Sequence, residues 1–389
     1  MADRPLRILH VAASTMGGVG LLLHYQMRDL DPERFRQTLV CGAGAPLDAA
    51  FERDGLDLRF VHLSRSAFSP GNLVGFAQIE RLLARERFDV VHTHTSVGGL
   101  YGRLAARLHR VPVKIWTIHG YASHPGIPGW LQGPLQRVER ALDPLTDHYI
   151  AISRAMCEEG IRKRIFTREK VTVIPNGLDL GTIPLLPPRS RAARRAGPVI
   201  CTVARLEPQK GVEFLIRAMP AVLQRLPAAR LRIAGDGPLR GRLEALCHRL
   251  GVAARVEFLG WRQDVAAVLA EADLFCVPSL WEGFGLTLVE AMAAGRAVVA
   301  SRVDGIPEVV EDGVTGTLVP PADPAALAAA LAGLLEDPDR LDRMGAAGRA
   351  RAEQRFDHRR MLEAYGVLYQ RLVCERGGGA HSAVGGELT

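Results

Sequence analysis

Two carboxylates and two glycines lie close together in the stretch 277–300, the part of the sequence best suited to chemistry. Glu282 and Glu290 have apolar neighbours, a setting that a plain surface charge would not have. Gly283 and Gly285 follow the first carboxylate, and a residue without a Cβ lets backbone N–H groups approach a ligand closely. This combination indicates a ligand-binding loop with a carboxylate on either side.

The segments that flank this loop predict a strand followed by a helix. Leu274–Val277 is a short apolar run that ends at Pro278, and residues 286–294 have a helical pattern. The loop between them, Ser279–Gly285, therefore leads into a helix N-terminus, where unpaired N–H groups and the helix dipole favour an anion. A ligand diphosphate is the natural occupant of such a site.

Two cations follow another predicted strand in the same half of the chain. Arg205 comes directly after the apolar run 199–204, and Lys210 comes five residues later, before Gly211 and a helical segment. An arginine fork and a lysine point charge can converge on one diphosphate. Two unconnected surface cations are the alternative, but a position at the carboxyl end of a strand favours binding.

A glycine turn near the N-terminus offers a second phosphate-binding element. The apolar run 6–12 is followed by Gly17 and Gly18 and then by a helical segment, 21–30. The spacing is not that of a dinucleotide-binding fingerprint, and no acidic residue ends the next apolar run, 38–41. The turn could cradle a phosphate at its helix N-terminus, and a tight turn without a ligand is the alternative.

Three histidines lie at the ends of predicted strands in the first half, where side chains point into a crevice. His92 and His94 form an H-T-H pair, and His119 precedes Gly120. A metal site formed by the three is one interpretation, although no nearby carboxylate completes the ligand set. For His119 alone the alternatives are a hydrogen bond to a substrate hydroxyl and a histidine satisfied within its loop. The D-x-D pairs of the sequence lie at proline-marked helix boundaries, so no metal dependence is predicted.

Strand-like and helical segments alternate along almost the whole chain, which predicts an α/β fold with parallel sheets covered on both faces. Two such series predict two Rossmann-like domains that face each other across a cleft. The predicted strands are 6–12, 38–41, 58–63, 90–92, 113–118, 149–152 and 171–174 in the first series, and 199–204, 231–234, 256–259, 274–277, 297–300 and 317–319 in the second. The predicted divisions are an N-terminal domain (1–185), a linker (186–197), a C-terminal domain (198–356), a closing helix that packs back on the N-terminal domain (357–376) and a disordered tail (377–389).

The composition fits a globular chain of two domains. Of the 389 residues, 48% are hydrophobic and 23% are charged, and the net charge is +7. The basic excess lies in the first half without an aromatic-interleaved stripe, so nucleic acid is not expected as a partner, whereas an anionic membrane surface stays a candidate. Scattered single cysteines, and no leader or spanning run, predict a cytoplasmic location, with peripheral membrane attachment as the alternative.

These residues together resemble the retaining, nucleotide-sugar-dependent glycosyltransferases of family 4, which have the B-type two-domain fold (GT-B). The most specific element is the E-x₇-E spacing from Glu282 to Glu290, combined with the R-x₄-K spacing from Arg205 to Lys210. The other matching segments are the Gly17-Gly18 turn, 174–179 (I-P-N-G-L-D), 203–211 (V-A-R-L-E-P-Q-K-G), 234–238 (A-G-D-G-P) and 304–308 (D-G-I-P-E). The similarity covers almost the whole chain.

The resemblance implies how a nucleotide-sugar donor would be held. Glu290 would bind the ribose hydroxyls of the donor, and Arg205 with Lys210 would bind its diphosphate. Such enzymes need no divalent metal and no cofactor, since the nucleotide-sugar is a co-substrate. The C-terminal domain would therefore be the nucleotide-sugar-binding domain and the N-terminal domain the acceptor side.

The remaining donor contacts are implied in the same way. Glu282 would contact the donor sugar, His119 would reach the transferred sugar, and Gly17 and Gly18 would close over the phosphates. The backbone contacts to sugar and phosphate would come from Gly283, Phe284, Gly285, Leu286 and Thr287.

One segment, Tyr121–Leu131, goes beyond a minimal donor site. It is apolar and broken by prolines, and it is similar to a loop of bacterial members that act on lipid-linked or polysaccharide acceptors. With the basic cluster 162–164 it is expected to touch an anionic membrane or a polyprenyl-diphosphate acceptor. A lid over the crevice and a solvated helix end are the alternatives.

The function that follows is transfer of a hexosyl or N-acetylhexosaminyl group to a hydroxyl of a glycan or lipid-linked acceptor, in cell-envelope or exopolysaccharide synthesis. Two other classes stay open from sequence alone. A non-hydrolysing sugar-nucleotide epimerase has the same two-domain fold, and a catalytically idle module would bind the nucleotide-sugar without releasing nucleotide.

Overall fold

Short apolar runs in the first half of the chain form the parallel strands of one sheet. The computed structural model describes residues 4–64, 66 and 69–376. The strands are β1 (Leu6–Val11), β2 (Phe35–Cys41), β3 (Leu58–Phe60), β4 (Val90–His94), β5 (Val113–Ile118), β6 (His148–Ala151) and β7 (Val171–Val173). The helices between them are α1 (Gly18–Asp29), α2 (Asp48–Arg53), α3 (Gly71–Arg85), α4 (Ser96–Leu108), α5 (Gly129–Ala141) and α6 (Arg154–Arg162).

The second half repeats this pattern of alternating strands and helices. Its strands are β8 (Val199–Val203), β9 (Arg230–Ala234), β10 (Val256–Gly260), β11 (Leu274–Val277), β12 (Ala297–Ser301) and β13 (Gly316–Val319). Its helices are α7 (Arg191–Ala196), α8 (Val212–Arg225), α9 (Arg240–Arg249), α10 (Val265–Ala270), α11 (Leu286–Ala293), α12 (Ile306–Val309), α13 (Pro324–Leu335), α14 (Pro338–Arg355) and α15 (His358–Arg376). Short 3₁₀ turns cover Asp143–Leu145, Arg168–Lys170, Leu180–Thr182, Pro208–Lys210 and Ala253–Arg255.

Strand order places the candidate chemistry at the middle of each sheet. The first sheet has the order β3-β2-β1-β4-β5-β6-β7 and the second β10-β9-β8-β11-β12-β13, with every pairing parallel. In the first sheet β1 and β4 are neighbours, and in the second β8 and β11 are neighbours. Ligands of parallel α/β sheets bind beyond the carboxyl ends of such central strands. The predicted α/β fold of two Rossmann-like domains is confirmed.

Both faces of each sheet are covered, as the alternation of strand side chains requires. On β1, Ile8 packs under α15 and α1, whereas Leu9 packs with α3 and α4 on the opposite face. A third apolar cluster runs from the first half to the second, joining Ile152 and Met156 to Phe284. The two halves are therefore in direct apolar contact beside the cleft.

The chain crosses between the two halves twice, at neighbouring places. Leu178 N donates to Phe356 O at 2.8 Å, and His358 N donates to Leu178 O at 2.9 Å, so the outgoing and returning segments pair as a short parallel bridge. Beyond the bridge, α15 lies against the first sheet with residues such as Tyr365 and Tyr369 buried. The last described helix thus belongs to the core of the N-terminal half.

Several boundaries differ from the sequence prediction. Most shifts are short: β2 begins three residues earlier than predicted, β3 ends three residues earlier, and β4 extends to His94. The helix predicted from Pro238 begins at Arg240. The end of the Tyr121–Leu131 segment was wrongly taken as loop, because α5 begins at Gly129. The predicted linker contains α7, whose Ser190 hydroxyl accepts from the backbone of Ala193 as an N-cap.

Two further predictions concern chain termini and membranes. The tail predicted to be disordered, 377–389, lies outside the described residues. Among the residues that the structure describes, no helix is both long and apolar enough to cross a bilayer.

Candidate active site

The loop after β11 leads into the N-terminus of α11. Gly285, the N-cap of α11, has φ +89°, a left-handed conformation that glycine adopts without steric cost. The first turn of α11 contains no acidic side chain, and its N-cap offers none to its amides. The amide groups at this helix end therefore have no side-chain cap, and anion binding there stays a prediction.

Lys210 and Glu282 form an ion pair at this loop. Lys210 Nζ lies 2.5 Å from Glu282 Oε2, and Ser279 Oγ lies 3.3 Å from the same oxygen. The two segments are pinned together, since Leu280 N donates to Gln209 O at 2.8 Å and Gln209 Nε2 donates to the backbone oxygen of Trp281. The lysine from the β8 loop is thus held rigidly against the loop that follows β11.

Arg205 lies at the carboxyl end of β8 but does not share this ion pair. Its Nη1 donates to Glu207 Oε1 at 2.6 Å, and 38% of its side chain is exposed. The structure therefore pairs Lys210 with Glu282, whereas Arg205 pairs separately with Glu207.

Glu290 is a carboxylate inside the cleft. Among the described residues, its side chain has no hydrogen-bond or ion-pair partner. Burial raises its pKa from 4.5 to about 7. Burial raises the pKa of Tyr25, from α1 of the opposite half, and the nearby charge of Glu290 raises it further. A half-buried carboxyl in this condition is suited to accept hydrogen bonds from a ligand.

The glycine turn before α1 meets α11 across the cleft. A Cβ on Gly18 would lie 2.7 Å from Leu286 Cδ1, so only glycine fits without movement of the leucine. Gly17 precedes it as the N-cap of α1. The structure thus brings the predicted turn of the first half against the predicted loop of the second.

His119 lies at the carboxyl end of β5, beside the same loop. Its backbone oxygen is next to Gly283. Its Nε2 lies 3.4 Å from His94 Nδ1, and burial lowers the pKa of His119 to about 4. The imidazole is therefore neutral at ordinary pH.

In the described part of the chain, two groups of three side chains each have potential metal-ligating atoms close together. One consists of His10, His92 and His94, all buried, with one nitrogen of each within 4.8 Å of the others. The sequence reading had grouped His92 and His94 with His119 and had missed His10. The other group, Asp29, Asp179 and His358, lies at the chain crossing and already includes Arg28 as a counter-charge.

Comparison with known proteins connects this geometry to a family. The family model described as Glycosyltransferase Family 4 matches residues 16–182, and the model described as Glycosyl transferases group 1 matches residues 197–337. A D-inositol 3-phosphate glycosyltransferase of Xylanimonas cellulosilytica is 34% identical, over 77% of this chain and 78% of its own length. The chain belongs to glycosyltransferase family 4.

Other known proteins are similar to this chain over most of its length. The UDP-Gal:alpha-D-GlcNAc-diphosphoundecaprenol alpha-1,3-galactosyltransferase of Escherichia coli is 29% identical, over 81% of this chain and 84% of its own length. Among solved structures, the Anabaena protein Alr3699/HepE, in complex with UDP and glucose, superposes with a TM-score of 0.81 at 25% identity, covering 94% of this chain and all of that one. The B-type two-domain fold expected from the resemblance is confirmed.

Sequence reasoning missed two acidic residues of this glycosyltransferase, although it had noted their D-G-I-P-E segment. Asp304 Oδ2 accepts from the backbone N–H of Glu282 at 2.8 Å, which fixes the start of the donor loop. Glu308 accepts from the N–H groups of Arg154 and Ala155 at 2.9 and 2.8 Å, so a carboxylate of the C-terminal half caps α6 of the N-terminal half. The partners lie too far apart in sequence for spacing to reveal them.

The 121–131 segment also reaches this site. His124 stacks on Trp281, with ring centroids 5.6 Å apart and planes at 20°. Lys163 holds the segment in place by donating to the backbone oxygen of Ser123 at 2.8 Å. This contact ties the segment to the loop after β11, which favours the lid interpretation.

Proposed function

We propose that this glycosyltransferase moves a hexosyl or N-acetylhexosaminyl group from a nucleoside diphosphate sugar to a hydroxyl of a glycan or lipid-linked acceptor, with retention of configuration and without a divalent metal. The observation that supports this best is the convergence of Lys210 and the α11 N-terminus, beside the unpaired carboxyl of Glu290. These groups match the diphosphate and the ribose of one donor. Uridine is our proposed base, because the Anabaena structure contains UDP and the E. coli relative is named for UDP-Gal.

Donor binding follows from the positions of these groups. Lys210 and Arg205 hold the diphosphate, and each exchanges part of its contact with a neighbouring carboxylate for a phosphate oxygen. Glu290 accepts hydrogen bonds from the ribose hydroxyls. Gly17 and Gly18 close over the phosphates from the opposite side.

The sugar occupies the space between the two halves. Glu282 and the backbone of residues 283–287 contact the sugar and the adjoining phosphate, and His119 reaches the sugar from the N-terminal side. The side chain of Phe284 is not part of this contact, since it is buried against Phe356 with ring centroids 5.5 Å apart.

Transfer needs stabilisation of negative charge. As the anomeric C–O bond breaks, the electron pair goes to the leaving diphosphate, where Lys210, Arg205 and the amides of α11 are already in place. The leaving phosphate accepts the proton of the acceptor hydroxyl, and the acceptor oxygen bonds to the anomeric carbon on the face that the diphosphate leaves, which gives retention. Glu282 is ion-paired with Lys210, and a double-displacement scheme would require two carboxyls flanking one bond, so we assign it to sugar contact.

The test begins with a thermal-shift screen of UDP, GDP and ADP, and continues with nucleotide release from UDP-glucose, UDP-galactose and UDP-N-acetylglucosamine, with and without EDTA. We expect UDP to stabilise the protein most and release to survive EDTA. Anomeric NMR of the product should show the configuration of the donor. Sugar conversion without any acceptor would instead indicate an epimerase, and binding without release under all acceptors would indicate an idle module.

We also propose that α5 lies on an anionic membrane that presents the acceptor. The exposed side chains Trp130, Pro134 and Val138 recur every four residues and form one stripe, and 76% of Trp130 is accessible. Arg137 and Arg140 lie on the same helix and are exposed as well. An apolar stripe bordered by arginines matches an anionic lipid surface.

The basic cluster 162–164 contributes less to this surface than its sequence implied. Lys163 is engaged inside the protein, with Ser123 and with Glu159 at 2.7 Å, so only Arg162 and Arg164 are exposed. Their segment adjoins α5, because Arg140 Nε donates to the backbone oxygen of Lys163 at 2.7 Å.

Vesicle flotation tests the membrane proposal. Trp130→Ser should abolish flotation with vesicles that contain phosphatidylglycerol, whereas Trp261→Ser, which changes a tryptophan 58% exposed on the C-terminal half, should leave it intact. Equal loss in both variants, or no flotation of the unchanged protein at low salt, would refute the proposal without affecting the donor assignment.

A further inference from the structure

A chain of hydrogen bonds runs from the edge of α1 through the N-terminal sheet to His119, and its first link has a fixed direction. Gln37 Nε2 donates to the backbone oxygen of Gln26 at 2.9 Å, and a carbonyl oxygen can only accept. The amide of Gln37 therefore turns Oε1 toward His10, whose Nε2 lies 3.0 Å away. A flipped amide would place two acceptors against each other, so Nε2 of His10 must carry the hydrogen.

The next two links pass this direction on. Burial lowers the pKa of His10 to about 4 and that of His94 well below the ordinary value, so both rings are neutral and carry one hydrogen each. His10 Nδ1 is then a bare acceptor, and His94 Nε2, at 3.2 Å, must donate to it. His94 Nδ1 is bare in turn, and His119 Nε2, at 3.4 Å, must donate to it.

The outcome is decided at the last ring. His119 is neutral, and its single hydrogen is used on Nε2 toward His94. Among the described residues, its Nδ1 has no partner. That nitrogen therefore presents a lone pair, on a residue whose backbone oxygen lies next to Gly283 of the donor loop.

We propose that Gln37, His10 and His94 are positioning residues that fix His119 as its Nε2–H tautomer, so that its Nδ1 accepts a hydrogen bond from a hydroxyl of the donor sugar. A hydroxyl can donate to this lone pair, whereas a carboxylate or a fluorine at the same place would oppose it with lone pairs of its own. The relay thus selects neutral hydroxylated sugars over uronic acids. The sugar contact rests on the proposed function, but the tautomer does not.

A metal ion at the three buried histidines is the competing interpretation of the cluster. Each ring nitrogen there already has a hydrogen-bond partner: His92 is bonded to Tyr369 and Thr117, both at 2.6 Å, and His10 and His94 are bonded within the relay. A metal would have to displace several of these bonds in a buried site. The cluster is better explained as two separate hydrogen-bonded branches that pack side by side.

The second branch supplies a matched control. The rings of His92 and His94 are in contact, with centroids 4.1 Å apart and planes tilted by 42°, but no hydrogen bond joins His92 to the relay among the described residues. Gln37→Met and Thr117→Val each remove the side-chain hydrogen-bond partner of one buried imidazole Nε2, on His10 and on His92 respectively. Both variants therefore cost one buried imidazole a hydrogen bond, but only Gln37 belongs to the relay that ends at His119.

The direct test is ¹H–¹⁵N NMR of the histidine rings in protein labelled with ¹⁵N-histidine, with the His119 signals assigned by their loss in His119→Gln. We expect the unchanged protein to show hydrogen on Nε2 and none on Nδ1 of His119. Gln37→Met should convert this ring to a mixture of both tautomers, and Thr117→Val should not. A His119 ring with hydrogen on Nδ1 in the unchanged protein would overturn the proposal, and it requires no variant to fold. Zinc that shifts the buried histidine signals at one equivalent would also overturn it.

The second readout separates sugar recognition from nucleotide recognition. By isothermal titration, Gln37→Met should weaken binding of UDP-glucose about three- to tenfold, the range for one hydrogen bond, and leave binding of UDP unchanged. Thr117→Val should change neither. Equal weakening of both ligands by Gln37→Met would show a merely structural role. Absence of UDP binding in the unchanged protein would refute the proposed function and leave the tautomer result standing.

Discussion

The two sides of the cleft differ in electrostatic character. On the C-terminal side, Lys210 and Glu282 form a charged pair beside a helix N-terminus, with the unpaired carboxyl of Glu290 close by. On the N-terminal side, His119 ends a chain of neutral, buried imidazoles. Charges that are held in place stabilise a diphosphate whose charge grows during transfer, whereas neutral acceptors suit hydroxyl groups whose charge does not change. Under the proposed function, the difference corresponds to phosphate recognition on one side and sugar recognition on the other.

Removal of a charge from the C-terminal side should have the largest effect. Lys210→Ala should lower turnover on the order of 100- to 1,000-fold, the range for loss of one preorganised group, and leave the fold intact. Nucleotide-release kinetics and circular dichroism measure the two quantities. Lys170→Ala is the matched control, since it breaks a 2.9 Å ion pair with Asp143 in the N-terminal half. Near-normal turnover in Lys210→Ala would contradict a role of the C-terminal side in stabilising the diphosphate.

The carboxyl of Glu290 makes a pH prediction that tests the same side. Its pKa of about 7 means that it must lose a proton before both of its oxygens can accept hydrogen bonds from the ribose hydroxyls, so affinity for UDP-glucose should fall as the pH is lowered through 7. Glu290→Gln should weaken binding on the order of tenfold at pH 8 and abolish the pH dependence. Isothermal titration between pH 6 and 8 checks both. UDP-glucose is chosen because its diphosphate has no titration of its own near neutrality.

The same raised pKa affects the free energy of unfolding. Because the folded state binds this proton more tightly than the unfolded state, stability should decline as the pH rises from about 4.5 to about 7, and Glu290→Gln should remove that part of the decline. Urea titrations of both proteins across this range measure it. A decline of the same size in both would show that the carboxyl is not the group responsible.

Glu308 tests whether the two sides must be held together. Glu308→Gln weakens the cap that the C-terminal half places on α6, which should cost the closed arrangement about 1 kcal/mol and raise KM severalfold. Small-angle scattering should show a larger radius of gyration without ligand. Glu311→Gln is the control, since its partner Arg351, at 3.0 Å, lies in the same half. An equal expansion of both variants would contradict the role of Glu308.

The contact between Gly18 and Leu286 should produce the smallest effect. A Cβ on Gly18 meets the flexible end of the leucine, so Gly18→Ala should lower turnover only about threefold through hindered closure. Leu286→Ala in the same protein should restore part of that loss, because it removes the obstructing atoms. Additive losses in the double variant would show that the two residues do not meet during the reaction.

Much of the fold could be predicted from sequence because it rests on local patterns. The apolar runs 274–277 and 113–118 form strands with the predicted bounds. They could be recognised because parallel strands that are buried on both faces are apolar throughout. The prediction failed where an element has no apolar pattern in the sequence. The helix α7 is arginine-rich and has no apolar periodicity, and β2 begins at a Phe-Arg-Gln stretch whose polar residues hide the strand.

Candidate site residues could be identified from sequence where two functional side chains lie only a few positions apart. Glu282 and Glu290 were found because two carboxylates among apolar residues are unusual. His10 was overlooked because it looks like a core position of β1, although its pairing with His92 on the neighbouring strand could have been anticipated from strand order. Gln37 and Glu308 act only through tertiary contacts, with partners on other elements, and no local pattern marks them.

The double crossing at Leu178 and Asp357 has a consequence for how this protein can be divided. Because the final helix returns to cover one face of the first sheet, a cut at the interdomain segment would leave the amino-terminal fragment with an uncovered apolar face. The carboxy-terminal fragment would keep a helix that has no sheet to pack on. A separable amino-terminal unit would need residues 358–376 joined back to it. Because the two segments of the crossing are also hydrogen-bonded to each other, we expect the two halves to open by rotation about this place rather than to separate freely.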